Sequence, residues 1–273
     1  MQRYKIGQLS KTMGVSTHLL KHYEKFNLVS PIKDDSTNYR YYDVGQCTRI
    51  ITSKKFRNMG FSLKDTAMLV NEMETEAIDD AVDNQIKALE EQIKELEHQK
   101  YLAMQYKQDS QETNHRLGEW YVEEVEEFYF IKQTDNYELL QENTLEEMGE
   151  NLLDGVPIAK SMVWIKASTF TQEDSKYHWG LALESKKLAH MKQNNFNFNQ
   201  NYDNVFKVEK QRAFVTFVKV EAPYMSTGRL IQEIVKQYQM FDLMLTKDVY
   251  AEIMKLENVE DSEVHYFRVI IPL

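Results

Sequence analysis

Residues 17–25, THLLKHYEK, carry Thr17, His18, Lys21, His22, Tyr23 and Lys25 within about two and a half helical turns. Further on, NYRYYD sets Arg40 between Tyr39 and Tyr41, and KKFR supplies Lys54, Lys55 and Arg57. The chemistry these side chains share is donation. Ammonium, guanidinium, imidazole N–H and phenol O–H groups all present protons to anionic or carbonyl oxygens. Such a set can grip a phosphate backbone and reach the edges of bases.

The charge distribution agrees with that chemistry. The chain has 273 residues and a net charge of −10, with a pI near 5.3. Residues 1–70 nevertheless hold 12 Lys/Arg against 5 Asp/Glu, while the remainder holds 21 against 38. A basic end on an acidic body points to an anionic partner for that end alone. A hydrophobic fraction of 42% fits a globular protein. No apolar run approaches membrane-spanning length, and MQRYKIGQLSK lacks the apolar core of a signal peptide, so a cytoplasmic location is expected. The single cysteine, Cys47, excludes an internal disulfide and a multi-thiolate metal site. The seven histidines (18, 22, 98, 115, 178, 190 and 265) suggest no ligand set, so neither metal nor other cofactor is expected. No glycine-rich phosphate loop and no Ser–His–Asp set stands out, which argues against an enzyme.

Several elements must position the basic side chains. Ile6, Leu9 and Met13 mark one face of a short helix that Gly14 can end in a left-handed cap. Ser16 can cap a second helix whose buried stripe is Leu19, Leu20, Tyr23 and Phe26, leaving Lys21, His22 and Lys25 largely outside. Asn27 tolerates positive φ, and Pro31 prevents continuation. Residues 34–43, DDSTNYRYYD, read as a β-hairpin wing ending near Tyr42. Asp43 can open a helix through Asn58, Gly60 stops it, and Ser62 caps another over 63–74.

Residues 77–110 contain neither proline nor glycine, and Val82, Ile86, Leu89, Ile93 and Leu96 repeat at spacings of 4, 3, 4 and 3. This is a coiled-coil seam flanked by charges of both signs. A lone helix cannot bury it, so dimerisation is expected; the alternative is packing against the chain's own body. After Gly118 the texture becomes β-rich. Strands are expected over 121–132, 161–169, 177–185, 212–223, 248–256 and 263–271. Helices are expected over 136–150 and 227–240, with an asparagine-rich connection at 193–204. The order strand–helix–strand–strand occurs twice, as in an internal duplication. The expected organisation is α+β and multidomain, with a winged helix-turn-helix at 1–75, a dimerisation helix at 76–115 and an effector-binding domain at 118–273.

LKHYEKFNLVSP, then NYRYY, then a helix ending in NMGFSL resembles the MerR family of bacterial transcription regulators. Leu20, Tyr23, Glu24, Leu28, Pro31, Tyr39, Arg40, Tyr41 and Tyr42 match its pattern. Lys21 stands where arginine is usual, His22 where an aromatic or phenolic residue is usual, and Asn27 and Asn38 where glycines are usual. The match covers about residues 4–72. The resemblance implies a homodimer joined by antiparallel long helices and bound to double-stranded promoter DNA. It implies activation by effector-dependent distortion of that DNA, which realigns the promoter for RNA polymerase. Thr17, His18, Lys21, His22, Tyr23, Tyr39, Arg40, Tyr41, Lys54 and Arg57 are then the DNA-binding candidates.

FVTFVKVEAPYMSTGRLIQEIV, DVYAEIM and YFRVIIPL resemble a gyrase-inhibitor-like effector domain of the multidrug-sensing type. That likeness implies a small organic effector, bulky and often cationic and aromatic, held by aromatic walls and a carboxylate. The candidates are Trp164, Tyr177, Trp179, Glu184, Tyr224, Tyr250, Glu252 and Tyr266. The family's pocket glutamate directly follows a Val-Tyr pair, where this chain has Ala251. Glu252 comes one place later and needs a local bulge to face the same way. Two other readings remain open at this point: a protein that sequesters a small molecule with a minor promoter role, and an enzyme acting on that ligand.

Overall fold

Helix ends along the first hundred residues are fixed by local chemistry. Helix α1 (Ile6–Met13) ends at Gly14, whose φ of +63° is left-handed. Helix α2 (Thr17–Lys25) starts where the Ser16 hydroxyl accepts from the Leu19 amide at 3.0 Å. Asn27, at φ +54°, turns the chain out of it. The computed structural model describes residues 3–34, 39–140, 152–170, 176–190, 202–226, 228–239 and 245–273. Asn38 therefore lies outside the described residues. Helix α3 (Gly45–Asn58) opens with the Asp43 carboxylate accepting from the Gln46 amide at 3.2 Å. Helix α4 (Leu63–Asn71) opens with the Ser62 hydroxyl accepting from the Asp65 amide at 3.1 Å. It is shorter than expected, and helix α5 (Thr75–His115) follows.

The chain is α+β and divides into two units, Met1–Leu96 and Glu97–Leu273. The first is a helix-turn-helix unit. Its core is Leu9, Leu20, Tyr23, Leu28, Val29, Tyr42 and Ile50. Three short strands, β1 (Tyr4–Lys5), β2 (Ile32–Lys33) and β3 (Arg40–Tyr42), pair antiparallel with β3 in the middle. Along α5, Ile86, Leu89, Ile93 and Leu96 are exposed.

The second unit is built on an eight-stranded antiparallel sheet. Its strands are β4 (Trp120–Val125), β5 (Phe128–Lys132), β8 (Lys160–Ile165), β9 (Tyr177–Glu184), β10 (Val205–Val208), β11 (Gln211–Glu221), β12 (Val249–Val259) and β13 (Ser262–Pro272). They lie in the order β10-β5-β9-β8-β12-β13-β11-β4. A small hairpin, β6 (Thr134–Asp135) and β7 (Glu138–Leu139), stands apart from it.

The single strand expected over 121–132 is two strands. Val125 faces Gln211 in β11, and Phe128 faces Val208 in β10. The ladder therefore keeps one register across Glu126–Glu127 and Glu209–Lys210. The sheet divides there, because β5 continues to β9 and β11 continues to β13. The strand expected over 161–169 ends at Ile165. The Asp248 carboxylate accepts from Trp164 Nε1 at 2.9 Å and from the Ala167 amide at 2.8 Å, which turns the chain away. Of the helix expected over 136–150, residues 138–139 are in β7 and residues 141–150 lie outside the described residues. Most of the asparagine-rich stretch lies outside them too.

Helix α6 (Arg229–Gln239) covers one face of the sheet, burying Leu230, Ile234 and Tyr238 against Val218, Val220, Val249, Ala251 and Phe267. The alternation of side chains puts Tyr250 and Glu252 on the other face. No helix among the described residues is long and apolar enough to cross a membrane.

Gly180 tests this packing. A Cβ there runs into the carbonyl oxygen of Ile131 and the ring of Phe130 on the neighbouring strand. Gly180→Ala is expected to destabilise the second unit by about 1–3 kcal/mol through forced strand movement. Thermal unfolding followed by circular dichroism reads this, and an unchanged midpoint would contradict the strand spacing.

Candidate functional site

The first unit presents donors at its surface from α2, β3 and α3. Thr17, His18, Lys21, His22 and Lys25 are exposed along α2, while Leu20 and Tyr23 face the core. Tyr23 is 2% exposed, so its expected place among the DNA-binding side chains is corrected: burial on the core side of α2 withdraws it. Lys54 and Arg57 are exposed on α3, and the Arg57 guanidinium donates to the Phe61 carbonyl. Tyr39 is exposed, with Lys5 Nζ 5.7 Å from its ring centre, and Tyr41 is half-buried.

Arg40 is held in place. Its Nε donates to Glu24 Oε2 at 2.9 Å, and the Tyr42 hydroxyl donates to the other oxygen of the same carboxylate. The side chain of Arg40 remains 37% exposed. Its hydrogen bond and charge pairing with Glu24 raise its pKa further, so it is a permanent cation. Burial raises the Tyr42 phenol, and the hydrogen bond to Glu24 adds to this. Glu24 is thus a positioning residue for which the sequence reading gave no role. Its place in the matched pattern beside Arg40 was the available signal. Cys47 is partly buried against the same core.

The second unit contains a cavity of about 200 Å³ on the sheet face opposite α6. Glu184 and Glu252 both line it, with Phe128, Met162 and Ile270 as apolar wall. Tyr250 pairs with Ile270 and Glu252 with Arg268, so Glu252 faces the cavity by simple alternation. The irregularity in β12 lies after it, between Ile253 and Lys255, so no bulge precedes Glu252 and it points to the side opposite Ala251, which packs on the α6 face.

Glu252 is not an unpaired acid. Arg268 Nη1 donates to it at 3.1 Å, and Arg268 Nη2 donates to Glu123. Lys160 lines the same cavity and pairs with Asp109 near the end of α5. Burial alone would raise the Glu252 carboxyl. The charges of Lys160, Arg268 and Lys187 outweigh that and hold it below the usual carboxylate range. Arg268 is buried, which opposes its charge, yet Glu252 and Glu123 keep it protonated. Glu184 pairs with Lys187 at 2.8 Å. Sequence reading missed Lys160, Arg268 and Glu123. The one signal was Arg268 as a lone charge within the apolar run YFRVIIPL.

None of the six aromatic candidates lines the cavity. Trp164 and Tyr250 belong to a buried ring cluster with Phe128, Phe130 and Phe206, in which Tyr250 meets Phe128 at 5.4 Å and Trp164 meets Phe206 at 4.9 Å. Burial pushes the Tyr250 phenol up to about 12. Tyr177, Trp179 and Tyr224 pack on the α6 face, on the opposite parity of the strands from Ala182 and Glu184. Tyr266 donates to Glu257 at 2.9 Å and lies under Lys255 Nζ. The aromatic side chain that does line the cavity is Phe128, which was not among the candidates.

Compared with known proteins, the chain matches the family model described as MerR HTH family regulatory protein over residues 4–73. It is 31% identical over 99 residues to the HTH-type transcriptional regulator ZntR homolog of Haemophilus influenzae, covering 34% of this chain and 73% of that protein. It is 32% identical over 65 residues to heavy metal-dependent transcription regulator 2 of Rhizobium meliloti, covering 24% of this chain and 44% of that one. Among solved structures, the cryo-EM structure of the EcmrR-DNA complex in EcmrR-RPo aligns over 98% of this chain and 99% of that chain, at 16% identity and a TM-score of 0.39.

The buried charges set an expectation for stability. Arg268→Met leaves two carboxylates without their cation and should cost about 3–5 kcal/mol. Glu252→Gln should cost less, because Arg268 keeps Glu123. Glu252 has a folded-state pKa below its unfolded value. Its contribution is therefore complete above the unfolded value and is lost as pH falls through the folded one. Denaturant unfolding should show the gap between the native chain and Glu252→Gln closing in acid and open at neutral pH; a gap that widens in acid would contradict the pairing.

Proposed function

The chain belongs to the MerR family of HTH regulatory proteins, and from that premise we propose that it is a dimeric promoter-binding regulator, an activator switched by a small organic effector. It is a DNA-binding transcription regulator of that family. The finer reading rests above all on one observation: the exposed cationic face of α2 beside an Arg40 that Glu24 holds in position. On this reading α2 enters the major groove, and the hairpin β2/β3 acts as the wing that grips the backbone. Lys21 and Arg40 then supply phosphate or base contacts, with Lys54 and Arg57 on the flank.

The dimer reading is supported by α5. Ile86, Leu89, Ile93 and Leu96 form an exposed apolar stripe at heptad spacing. Charge favours the antiparallel arrangement. Residues 74–83 hold Glu74, Glu76, Asp79, Asp80 and Asp83 with no base, whereas Lys94, Lys100 and Lys107 lie in the later part. A pair centred on Leu89 sets Lys87 of each copy against Glu91 of the other, and a parallel pair stacks the acidic segments on each other. A two-fold dimer in turn reads two half-sites, as promoter palindromes require. Such a regulator works with RNA polymerase in the cytoplasm, and distortion of the promoter is the mode of activation we favour.

The domain division follows: DNA binding over 1–75, dimerisation over 76–115 and effector binding over 118–273, the last as a duplicated, gyrase-inhibitor-like strand–helix–strand–strand domain. The second of the two repeats is β11, α6, β12 and β13. The cavity is smaller than the roughly 300–1,000 Å³ usual for drug-sized ligands, so a bulky effector must move its walls. A cationic effector meets Glu252 already paired, and it must draw Glu184 from Lys187 or Glu252 from Arg268. Relatives named as heavy-metal regulators offer a second reading of the effector. Their matches cover 24% of this chain, which has a single cysteine. No group of three or more potential metal ligands occurs among the described residues.

In vitro transcription from the promoter of its own gene tests the reading, with a panel of cationic and neutral aromatic compounds and with zinc and copper salts. One compound raising transcription with little change in DNA affinity is the expected result. A response confined to a metal ion would overturn the organic-effector reading. Lys21→Ala should weaken binding and lower the salt slope of log K by about one. Leu89→Asp with Ile93→Asp should turn the dimer into a monomer in sedimentation, and a dimer that survives would contradict the seam.

A further inference from the structure

His18 and His22 sit one helical turn apart, a spacing that the sequence reading passed over. Both are exposed on α2, with ring centres 6.5 Å apart and ring planes inclined by 17°. The His22 ring also meets the edge of Phe26 at 5.4 Å. Each ring therefore has a defined position beside its neighbour on the surface that carries Lys21 and Lys25.

We infer that His18 and His22 are proton-coupled specificity residues, which bind phosphate or guanine edges as imidazolium and so make promoter affinity rise as pH falls. This rests on α2 being the recognition helix. A neutral imidazole has one donor and one acceptor, whereas the protonated ring has two donors and no acceptor. The edge of guanine in the major groove offers two acceptors, N7 and O6, and phosphate offers only acceptors. Protonation therefore matches the rings to those partners and mismatches them to the amino groups of adenine and cytosine.

Lys21 and Lys25 flank the rings on α2 itself. The one acid of α2, Glu24, is taken by Arg40 and Tyr42. Helix α1 brings Lys11 and no acid, and β3 brings Arg40. Helix α3 has no acid either. It brings Lys54, Lys55, Arg57, and an Arg49 whose guanidinium donates to the Leu28 and Asn27 carbonyls at 3.0 Å. Asp43, at the start of α3, accepts from the Gln46 amide. DNA supplies the missing negative charge. Proton uptake then accompanies binding, and histidine is the side chain whose ordinary titration falls between pH 5 and 8.

The sign follows from linkage. Bound DNA raises the affinity of the rings for protons, so protons raise the affinity for DNA. A shift of about one pKa unit per ring makes binding about ten-fold tighter per linked proton across the titration. The test is fluorescence anisotropy of the full chain on a labelled duplex spanning its own promoter, from pH 6 to pH 8 at constant ionic strength with a chelator present.

The native chain should bind at least about ten-fold more tightly at pH 6 than at pH 8. His18→Gln with His22→Gln should bind with little pH dependence, and Lys21→Ala should be weaker while keeping the native pH dependence. His18→Asn with His22→Asn serves as a second pair of variants, and the thermal unfolding of each variant checks that it is folded. A native chain that binds equally well at both pH values, or a double variant as pH-dependent as the native chain, overturns the inference while leaving DNA binding intact. Absence of binding by the native chain at every pH overturns the recognition-helix reading itself.

Discussion

The Glu24 carboxylate ties together α2 and β3, the two elements to which the proposed DNA recognition is assigned. One of its oxygens takes the Arg40 guanidinium and the other the Tyr42 hydroxyl, so a residue of α2 fixes side chains of β3 sixteen and eighteen positions away. A carboxylate that accepts from both a cation and a phenol has little freedom left, and neither has its partner. Arg40 consequently stays partly exposed in one orientation rather than sweeping the surface. The outward face of α2 gains from the same bond, because the acid that could neutralise its lysines is engaged elsewhere.

The second unit follows a related logic at greater depth. Arg268 lies buried between Glu252 and Glu123, and Lys160 reaches from the same cavity to Asp109 on α5. Buried charges of this kind are costly unless they are fully partnered, and here each has a partner. The cavity they border is thus polar and internally balanced. On the proposed function, an effector entering it has to compete with existing ion pairs rather than fill an empty apolar pocket. The Lys160–Asp109 pair also brings the cavity lining into direct contact with the last turns of α5.

Much of this was legible in the sequence because local chemistry decided it. Gly14, Ser16, Asn27 and Ser62 act at the helix boundaries where their side chains or backbone freedom are needed. The exposed apolar stripe from Ile86 to Leu96 follows from spacing alone. What failed was decided by distant partners. The break at Glu126–Glu127 is invisible locally, since β4 and β5 keep one register and differ only in which strands flank them. Period-two alternation, by contrast, puts Glu252 on the side of β12 opposite Ala251, and the ladder keeps it there. Tyr23 belonged to two patterns at once, a buried stripe and a basic cluster, and burial prevailed. Of the aromatic candidates, Tyr177 and Trp179 lie on the other side of β9 from Glu184, whereas Trp164 and Tyr250 share the cavity's face of the sheet but pack into a ring cluster.

The most direct measurement is a hydroxyl-radical footprint of the full-length protein on the promoter of its own gene. The expected result is protection of two inverted half-sites on one face of the duplex, separated by whole helical turns, and lost together in Arg40→Ala. A single protected site, or protection insensitive to Arg40, would contradict a dimer that reads DNA through α2 and the strand that Glu24 holds beside it.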